Sequence, residues 1–344
     1  MRIDEITNLT LPKKSDEEFL KINFESLFSY NFLQTKDYEL DIRGLKTVDD
    51  TNNYQSILFD VVRNFDKKQK IITIDKSPKE PIFIIHKLDE NETFYTNSIK
   101  IEVLEGVKAS IVEVFETSCT NSAYCLNRNI VLEKNSSLEY AKIENIKESN
   151  SMIYNLKIEQ KENSKLKSSN FEYGDGFVVN NYENIIDEEN CNYELNGLLK
   201  LDAQTTNTNL IKTIHNQPSS ISSINYKNTL KDSSKAVVKI KSVVNETALF
   251  SKAFQNCNTI LLSDDAVIFA QPHLEIYIDE LQASHGTTTG TLNKEQLLYL
   301  QSRGISQTKA YEMLLEAFEK TIIENIDDEL IKEFVINYKG KKDV

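Results

Sequence analysis

From about Tyr54 to Tyr277 the apolar residues come in short alternating or continuous runs of β-formers separated by polar turns. Pro81-Ile82-Phe83-Ile84-Ile85, Ser98-Ile99-Lys100-Ile101-Glu102-Val103 and Ser110-Ile111-Val112-Glu113-Val114-Phe115 each predict a strand. Helical periodicity is almost absent from this region. Within it a small or polar turn followed by an apolar residue recurs at Lys108-Ala109-Ser110-Ile111, Asn135-Ser136-Ser137-Leu138, Asn163-Ser164-Lys165-Leu166, Asn190-Cys191-Asn192-Tyr193, Pro218-Ser219-Ser220-Ile221 and Glu246-Thr247-Ala248-Leu249. Successive members lie about 28 residues apart. A second set, half a period out of phase, stands at Ser122-Ala123-Tyr124, Ser151-Met152-Ile153, Gly176-Phe177-Val178, Thr205-Thr206 and Ser234-Lys235-Ala236-Val237.

Two strands per coil account for both sets. A fixed period with alternating strands lets each coil bury its inward side chains against the next, which predicts a β-solenoid, or β-helix. A β-sandwich is the alternative, but it has no reason to hold one long period over five coils. Ahead of this region, Ser15 can cap a short helix with Glu18 at the capping-box position and Phe19, Ile22, Leu27 and Phe28 on one face.

After Gly290 the period switches to 3.6. Asn293 caps a first helix, with Gln296 at the capping-box position, Leu297, Leu298 and Leu300 along it, and a Schellman-type stop at Gly304-Ile305. Ser306 begins a second helix with the stripe Ala310, Met313, Leu314, Ala317, Phe318 and Ile322, and a third starts at Asp327. The chain is thus expected to be mainly β, with a partly helical N-terminal segment over residues 1–53, a solenoid over 54–290 and a C-terminal helical domain over 291–344.

Composition narrows the function. The chain has 344 residues with 40 basic and 53 acidic side chains, a net charge of −13. That argues against nucleic acid as a partner, since phosphate neutralisation needs a basic surface. Nine glycines, five prolines and no tryptophan fit neither a loop-rich fold nor a glycine-loop nucleotide site, and neither GxxxxGK[ST] nor GxGxxG occurs. Cys119, Cys125, Cys191 and Cys257 form no CxxC pair. The charged start Met1-Arg2-Ile3-Asp4-Glu5-Ile6 and the lack of any run near 18 apolar residues predict a cytoplasmic protein without a membrane partner.

Hydrolytic chemistry has little support. GxSxG does not occur, and Asp187-Glu188-Glu189, Asp264-Asp265 and Asp327-Asp328-Glu329 read as solvated turns or helix starts. Of four histidines, His86, His215 and His273 read as structural, with no second metal-type ligand expected at strand or helix spacing. His285 differs, because Ser284-His285-Gly286-Thr287-Thr288-Thr289-Gly290 leaves its imidazole sterically open between the last β-run and the helices.

The stretch Leu274-Glu275-Ile276-Tyr277-Ile278-Asp279-Glu280, the Ser284–Gly290 tract, and Gln296-Leu297-Leu298-Tyr299-Leu300-Gln301-Ser302-Arg303-Gly304-Ile305 resemble the C-terminal signature of the SufB/SufD family. His215-Asn216-Gln217-Pro218-Ser219-Ser220, Tyr226-Lys227, Leu230-Lys231-Asp232-Ser233-Ser234 and Leu261-Leu262-Ser263-Asp264 continue the resemblance upstream, and it is specific from about Thr205 to Phe318. It implies a right-handed parallel β-helix and a non-enzymatic scaffold role in iron–sulfur cluster assembly, with a SufB-like scaffold and a SufC-like ATPase as partners. By the same resemblance His285 serves a transient nascent cluster at the SufB interface, and the C-terminal domain docks the ATPase, with Tyr299, Arg303 and Phe318 as contact candidates. No cluster is expected to stay on the isolated chain. SufB carries a cysteine where this chain has Ala266, so the likeness is to SufD; SufD's usual cysteine two residues before the histidine is Ala283 here, and Cys257 stands at a position the family fills with a polar residue. A homodimeric scaffold lacking SufB, and a β-helix enzyme acting on polysaccharide, are the alternative readings.

Overall fold

The structure, a computed structural model, describes residues 1–6, 9–13, 15–37 and 46–340. Residues 38–45 of the expected N-terminal segment and 341–344 of the C-terminal unit lie outside the described residues. The N-terminal part holds α1 (Glu25–Phe28), β1 (Gln34–Asp37), β2 (Lys46–Asp49) and α2 (Leu58–Arg63). Strands then follow one another from β3 (Lys68–Ile74) through β4 (Ile82–Leu88), β5 (Thr93–Val103), β6 (Lys108–Thr117), β7 (Ala123–Leu132), β8 (Ser137–Ile146), β9 (Ser151–Gln160) and β10 (Lys165–Gly174). The second half runs through β11 (Phe177–Ile186), β12 (Asn192–Leu201), β13 (Thr206–His215), β14 (Ile221–Leu230), β15 (Lys235–Val244), β16 (Lys252–Leu261), β17 (Val267–Ile276) and β18 (Gln282–Gly290). Helices α3 (Lys294–Ser302), α4 (Gln307–Glu324) and α5 (Glu329–Gly340) complete the chain.

From β3 onward, odd strands form one sheet and even strands the other, and each strand from β5 to β16 pairs in parallel with strands two before and two after it, β5 also with β1. This is a parallel β-solenoid of about eight turns, not a sandwich. Even strands from β6 begin at residues 108, 137, 165, 192, 221, 252 and 282, so the repeat is 27–31 residues. The corners explain the period. Gly106, Asn135, Asn163, Asn190, Ser219 and Phe250 all have positive φ, a conformation that Gly and Asn adopt cheaply. Each gives its N–H to a carbonyl one coil further on, from Gly106 to Lys134 O through to Phe250 to Glu280 O. The last member departs from the small-polar pattern. Its left-handed residue is Phe250, and β16 starts at Lys252, so the turn expected at Glu246–Leu249 lies within a longer corner.

Side chains on the outer face of the odd sheet pack against the N-terminal segment, where Phe24, Leu27, Phe28, Leu58 and Val61 cover Ala123, Cys125, Ile153 and Val179. The expected helix from Ser15 does not form. A single 3₁₀ turn (Glu17–Phe19) and the four-residue α1 replace it, and Lys21 at φ 77° separates them. The apolar residues are buried as expected, yet they follow a flat sheet surface, to which Phe24 is fixed by an edge contact with Phe177 at 6.1 Å, rather than a helical stripe. The first solenoid strand starts at Lys68, so residues 54–67 lie with α2 ahead of it.

Helices α4 and α5 fold back over the outer face of the even sheet, where Ile322, Ile326, Ile331 and Val335 bury Val112, Val114, Ala141, Ile143 and Phe171. Each fully buried isoleucine of this kind contributes about 1.5–3 kcal/mol. The expected caps are present: Asn293 Oδ1 accepts from the N–H groups of Glu295 (2.9 Å) and Gln296 (3.1 Å), and Ser306 Oγ from that of Lys309 (3.3 Å). At Gly304, φ 84°, the N–H groups of Gly304 and Ile305 reach Gln301 O (2.9 Å) and Leu300 O (3.3 Å), the Schellman pattern. The third helix is capped by Asp328, while the N–H groups of Asp327 and Asp328 bind the Glu139 carboxylate on the sheet at 2.7 and 2.8 Å.

Between the sheets the lumen is not uniformly apolar. Tyr140, Tyr154, Tyr182, Tyr193 and Tyr226 are buried there with Glu113, Arg128, Lys142, Glu144 and Glu172. Lys142 Nζ gives hydrogen bonds to Glu144 (2.5 Å) and Asn180 (2.8 Å) and lies 4.2 Å from the Tyr154 ring centroid. Tyr226 OH donates to Glu172 Oε1 (3.2 Å), whose other oxygen accepts from Asn209 Nδ2 (2.7 Å). Gly197 makes room for this: it sits one coil from Tyr226 in register, and a Cβ there would run into the tyrosine ring. Gly197→Ala is expected to cost about 1–3 kcal/mol through displacement of the ring, read as a lower denaturation midpoint; an unchanged midpoint would show that the lumen can adjust.

Burial, reinforced by the Glu144 charge, pushes the Glu172 carboxyl up to about 7 despite Lys142 and its two hydrogen bonds. A folded-state value above the ordinary 4.5 gives stability that is full below 4.5 and lost as pH rises to about 7. Glu172→Gln removes that dependence, so the variant should gain on the wild type steadily across this window and stay level above it. Parallel melting temperatures between pH 4.5 and 8 would contradict this. His215, whose Nε2 is 2.8 Å from Ser222 Oγ, is pushed down to about 4 by burial. It acts in the opposite sense, with stability present above 6.5 and lost as pH falls to about 4.

Candidate functional site

The solenoid ends on β17 and β18, each paired on one side only among the described residues. A free strand edge offers unpaired N–H and C=O groups to another chain. Strand β18 contains no buried residue, and Pro272 removes one N–H from the edge of β17. Beside this end are exposed apolar side chains, Phe250, Tyr277 and Ile276. Helices α4 and α5 cover the even sheet from β4 to β14, and no apolar cluster joins them to the last coil among the described residues.

His285 lies on β18, paired in register with Gln255 of β16. Residues in register share a face, and Gln255 is turned into the lumen, where its Nε2 binds Ser242 Oγ (2.7 Å) and His273 O (3.1 Å). Ala283, two residues before His285, packs against the interior cluster of Val244, Ala248 and Ala253. The His285 imidazole therefore sits on the lumen side of the final coil, with no coil beyond it among the described residues, and is exposed. Its neighbours are small: a Cβ on Gly286 would meet only Asn256 Oδ1 at 3.6 Å.

The other histidines are distributed as expected in part. His86 is fully buried with Nε2 2.7 Å from Glu113, and burial lowers its basicity more than Glu113 raises it. His215 is buried as described. His273 instead faces outward, 3.3 Å from Glu275, which corrects the expectation that no metal-type ligand stands at strand spacing from it. All four cysteines are free and buried. Cys257 is on the lumen side of β16, burial pushes its thiol up to about 11, and Asn228 Nδ2 donates to its sulfur at 3.3 Å. Ala266 is buried at a corner with Leu230 and Ala236. Among the described residues no three His, Cys, Asp or Glu side chains gather as a metal site, and no helix is long and apolar enough to cross a membrane.

On the helices, Tyr299 and Arg303 form an exposed pair, with the guanidinium carbon 5.4 Å from the ring centroid and a 3.2 Å hydrogen bond to Tyr299 OH. Leu298 and Met313 are exposed nearby in sequence. Phe318 is turned to the sheet: Lys227 Nζ lies 4.5 Å from its ring centroid and binds its carbonyl at 2.8 Å.

The chain matches the family described as "SUF system FeS cluster assembly, SufBD core domain" over residues 84–318, from β4 into α4. That is well over half of its length. The chain belongs to the SufBD family. The family is one of iron–sulfur cluster assembly, not of polysaccharide-active enzymes, and two relatives of the chain carry the name SufD. It is 25% identical over 279 residues to the iron–sulfur cluster assembly protein SufD of Escherichia coli, covering 77% of this chain and 64% of that protein. It is 31% identical over 149 residues to SufD of Plasmodium falciparum, 43% of this chain and 10% of that one. A SufBD family protein of Pyrococcus horikoshii is 32% identical over 146 residues, 42% of this chain and 32% of that protein. The chain thus spans less than two thirds of each of these relatives. The SufBD match contains His285, Tyr299, Arg303 and Phe318.

Sequence reasoning missed the lumen charges and Gln255, and it noted Cys257 without placing it beside Gln255 below the end coil. The repeat itself was the signal for the pair, since a step of 30 residues carries 255 to 285 and 257 to 287.

Proposed function

We propose that the protein is a non-enzymatic SufD-like scaffold that pairs through the β17–β18 end with a SufB-like solenoid and through α3 and α4 with a SufC-like ATPase. The observation that carries this reading is the open end itself: two uncapped strands with an exposed imidazole on the lumen side of the last one. A nascent cluster is the cargo, held transiently between chains, with His285 supplying nitrogen to iron beside thiolate and sulfide from the partner. Tyr299 and Arg303 are free for the ATPase, whereas Phe318 contributes through its backing on Lys227. ATP hydrolysis in the partner would shift the two scaffolds and expose the site.

Anaerobic co-purification with candidate SufB-like and SufC-like chains, followed by native mass measurement, tests the assembly. The expected species contains both partners, and Arg303→Glu should lose the ATPase while keeping the solenoid partner. A mass of two copies that does not change when partners are added would support the homodimeric scaffold instead.

A further inference from the structure

His285 is not the only donor at the open end. Gln255 lies directly beneath it in register, and Cys257, two residues along β16, faces the same lumen. Both are essentially buried, 3% and 1% exposed. The Gln255 amide is held by its nitrogen on Ser242 and His273, while its Oε1 meets no donor. A buried acceptor left without a donor is costly in a folded chain, and this one shares the lumen mouth with an imidazole and a sulfur. Neighbouring strands are about 4.8 Å apart and two residues advance about 6.6 Å, so the Cys257 and His285 Cα atoms are about 8 Å apart on the diagonal. Metal–nitrogen and metal–sulfur bonds of about 2.0 and 2.3 Å let one ion bridge that span. Asn228 Nδ2, donating to the sulfur at 3.3 Å, is placed to stabilise a thiolate from behind.

We propose that His285, Cys257 and the Gln255 amide oxygen form an in-chain acceptor site for a single divalent iron ion at the mouth of the lumen. Iron takes nitrogen, sulfur and oxygen from this chain, and the thiol proton leaves to solvent as the thiolate binds. The coordination is incomplete, as the lack of a third His, Cys, Asp or Glu among the described residues implies. Its open position points out of the end, towards sulfide or a partner's ligand, which suits an ion that is to be passed on rather than kept. The identity of the ion rests on the functional reading above; the donor set does not.

The purified full-length chain, titrated anaerobically with Co²⁺ as an optical stand-in for Fe²⁺, tests the site. One equivalent should bind with a sulfur-to-cobalt charge-transfer band. The band should be lost in Cys257→Ala, its midpoint should move about tenfold or more in His285→Ala, and Cys191→Ala should leave it unchanged. No band in the wild type, or a band that survives Cys257→Ala, overturns the proposal. If circular dichroism shows Cys257→Ala unfolded, the wild-type band and His285→Ala decide, since His285 is exposed on an edge strand. A missing band together with cluster loss in His285→Ala complexes would sink the in-chain site and leave the scaffold reading. A band together with normal cluster accumulation in those complexes would keep the in-chain site and remove His285 from the shared cluster.

Discussion

Glu113→Ala is expected to destabilise the solenoid by about 3–5 kcal/mol, more than any other single change considered for this chain. Glu113 Oε1 accepts from Arg128 Nε (2.9 Å) and His86 Nε2 (2.7 Å), and Oε2 accepts from Tyr140 OH, all with side chains removed from water. Burial alone would push this carboxyl up, but the Arg128 charge and the bonds from His86 and Arg128 hold it well below the ordinary range. It is therefore an anion in the core, and its loss strands a guanidinium among neutral acceptors alone, Asn97, the Asn127 carbonyl and the His86 ring nitrogen at 3.5 Å. The cost is that of an uncompensated buried charge rather than of lost packing. Replacing Glu113 and Arg128 together by leucine and methionine should therefore recover most of it. Denaturant midpoints of the single and double variants check this. A single variant within about 1 kcal/mol of wild type would mean that the cluster adds nothing to stability. Because the folded-state value is depressed, the Glu113 contribution is present above the ordinary 4.5 and lost as pH falls below it.

His285→Ala should do the opposite. The imidazole is exposed on a strand with no buried residue, so the denaturation midpoint and the partner stoichiometry should hold while iron and sulfide recovered with the complex fall about tenfold or more, the scale of losing one ligand group. Normal cluster accumulation in that variant would remove His285 from the site.

The two residues differ in how visible they are from the chain alone. The period was legible because every coil needs a left-handed corner, and Asn135, Asn163 and Asn190 mark it in text as they do in space. His285 stood out because glycines and hydroxyls surround it. Glu113, Lys142 and Glu172 were hidden: in a strand with both faces covered, inward charges interrupt no pattern that outward charges would not also interrupt. Only the register that stacks Glu113 on Lys142 and Lys142 on Asn170 shows that they share an interior. The N-terminal segment misled for a related reason. Phe19, Ile22, Leu27 and Phe28 are spaced by the sheet they lie on, a surface that their own stretch of sequence does not contain.

The corner bonds that run from Gly106 to Phe250 always pass the N–H forward, to the coil that comes later in the chain. Coil upon coil, each layer is held by two neighbours until the last, which has one. In a linear stack the cohesion of a layer is set by its immediate neighbours, so the proposed pairing at the end bearing His285 would supply the one neighbour that this layer lacks.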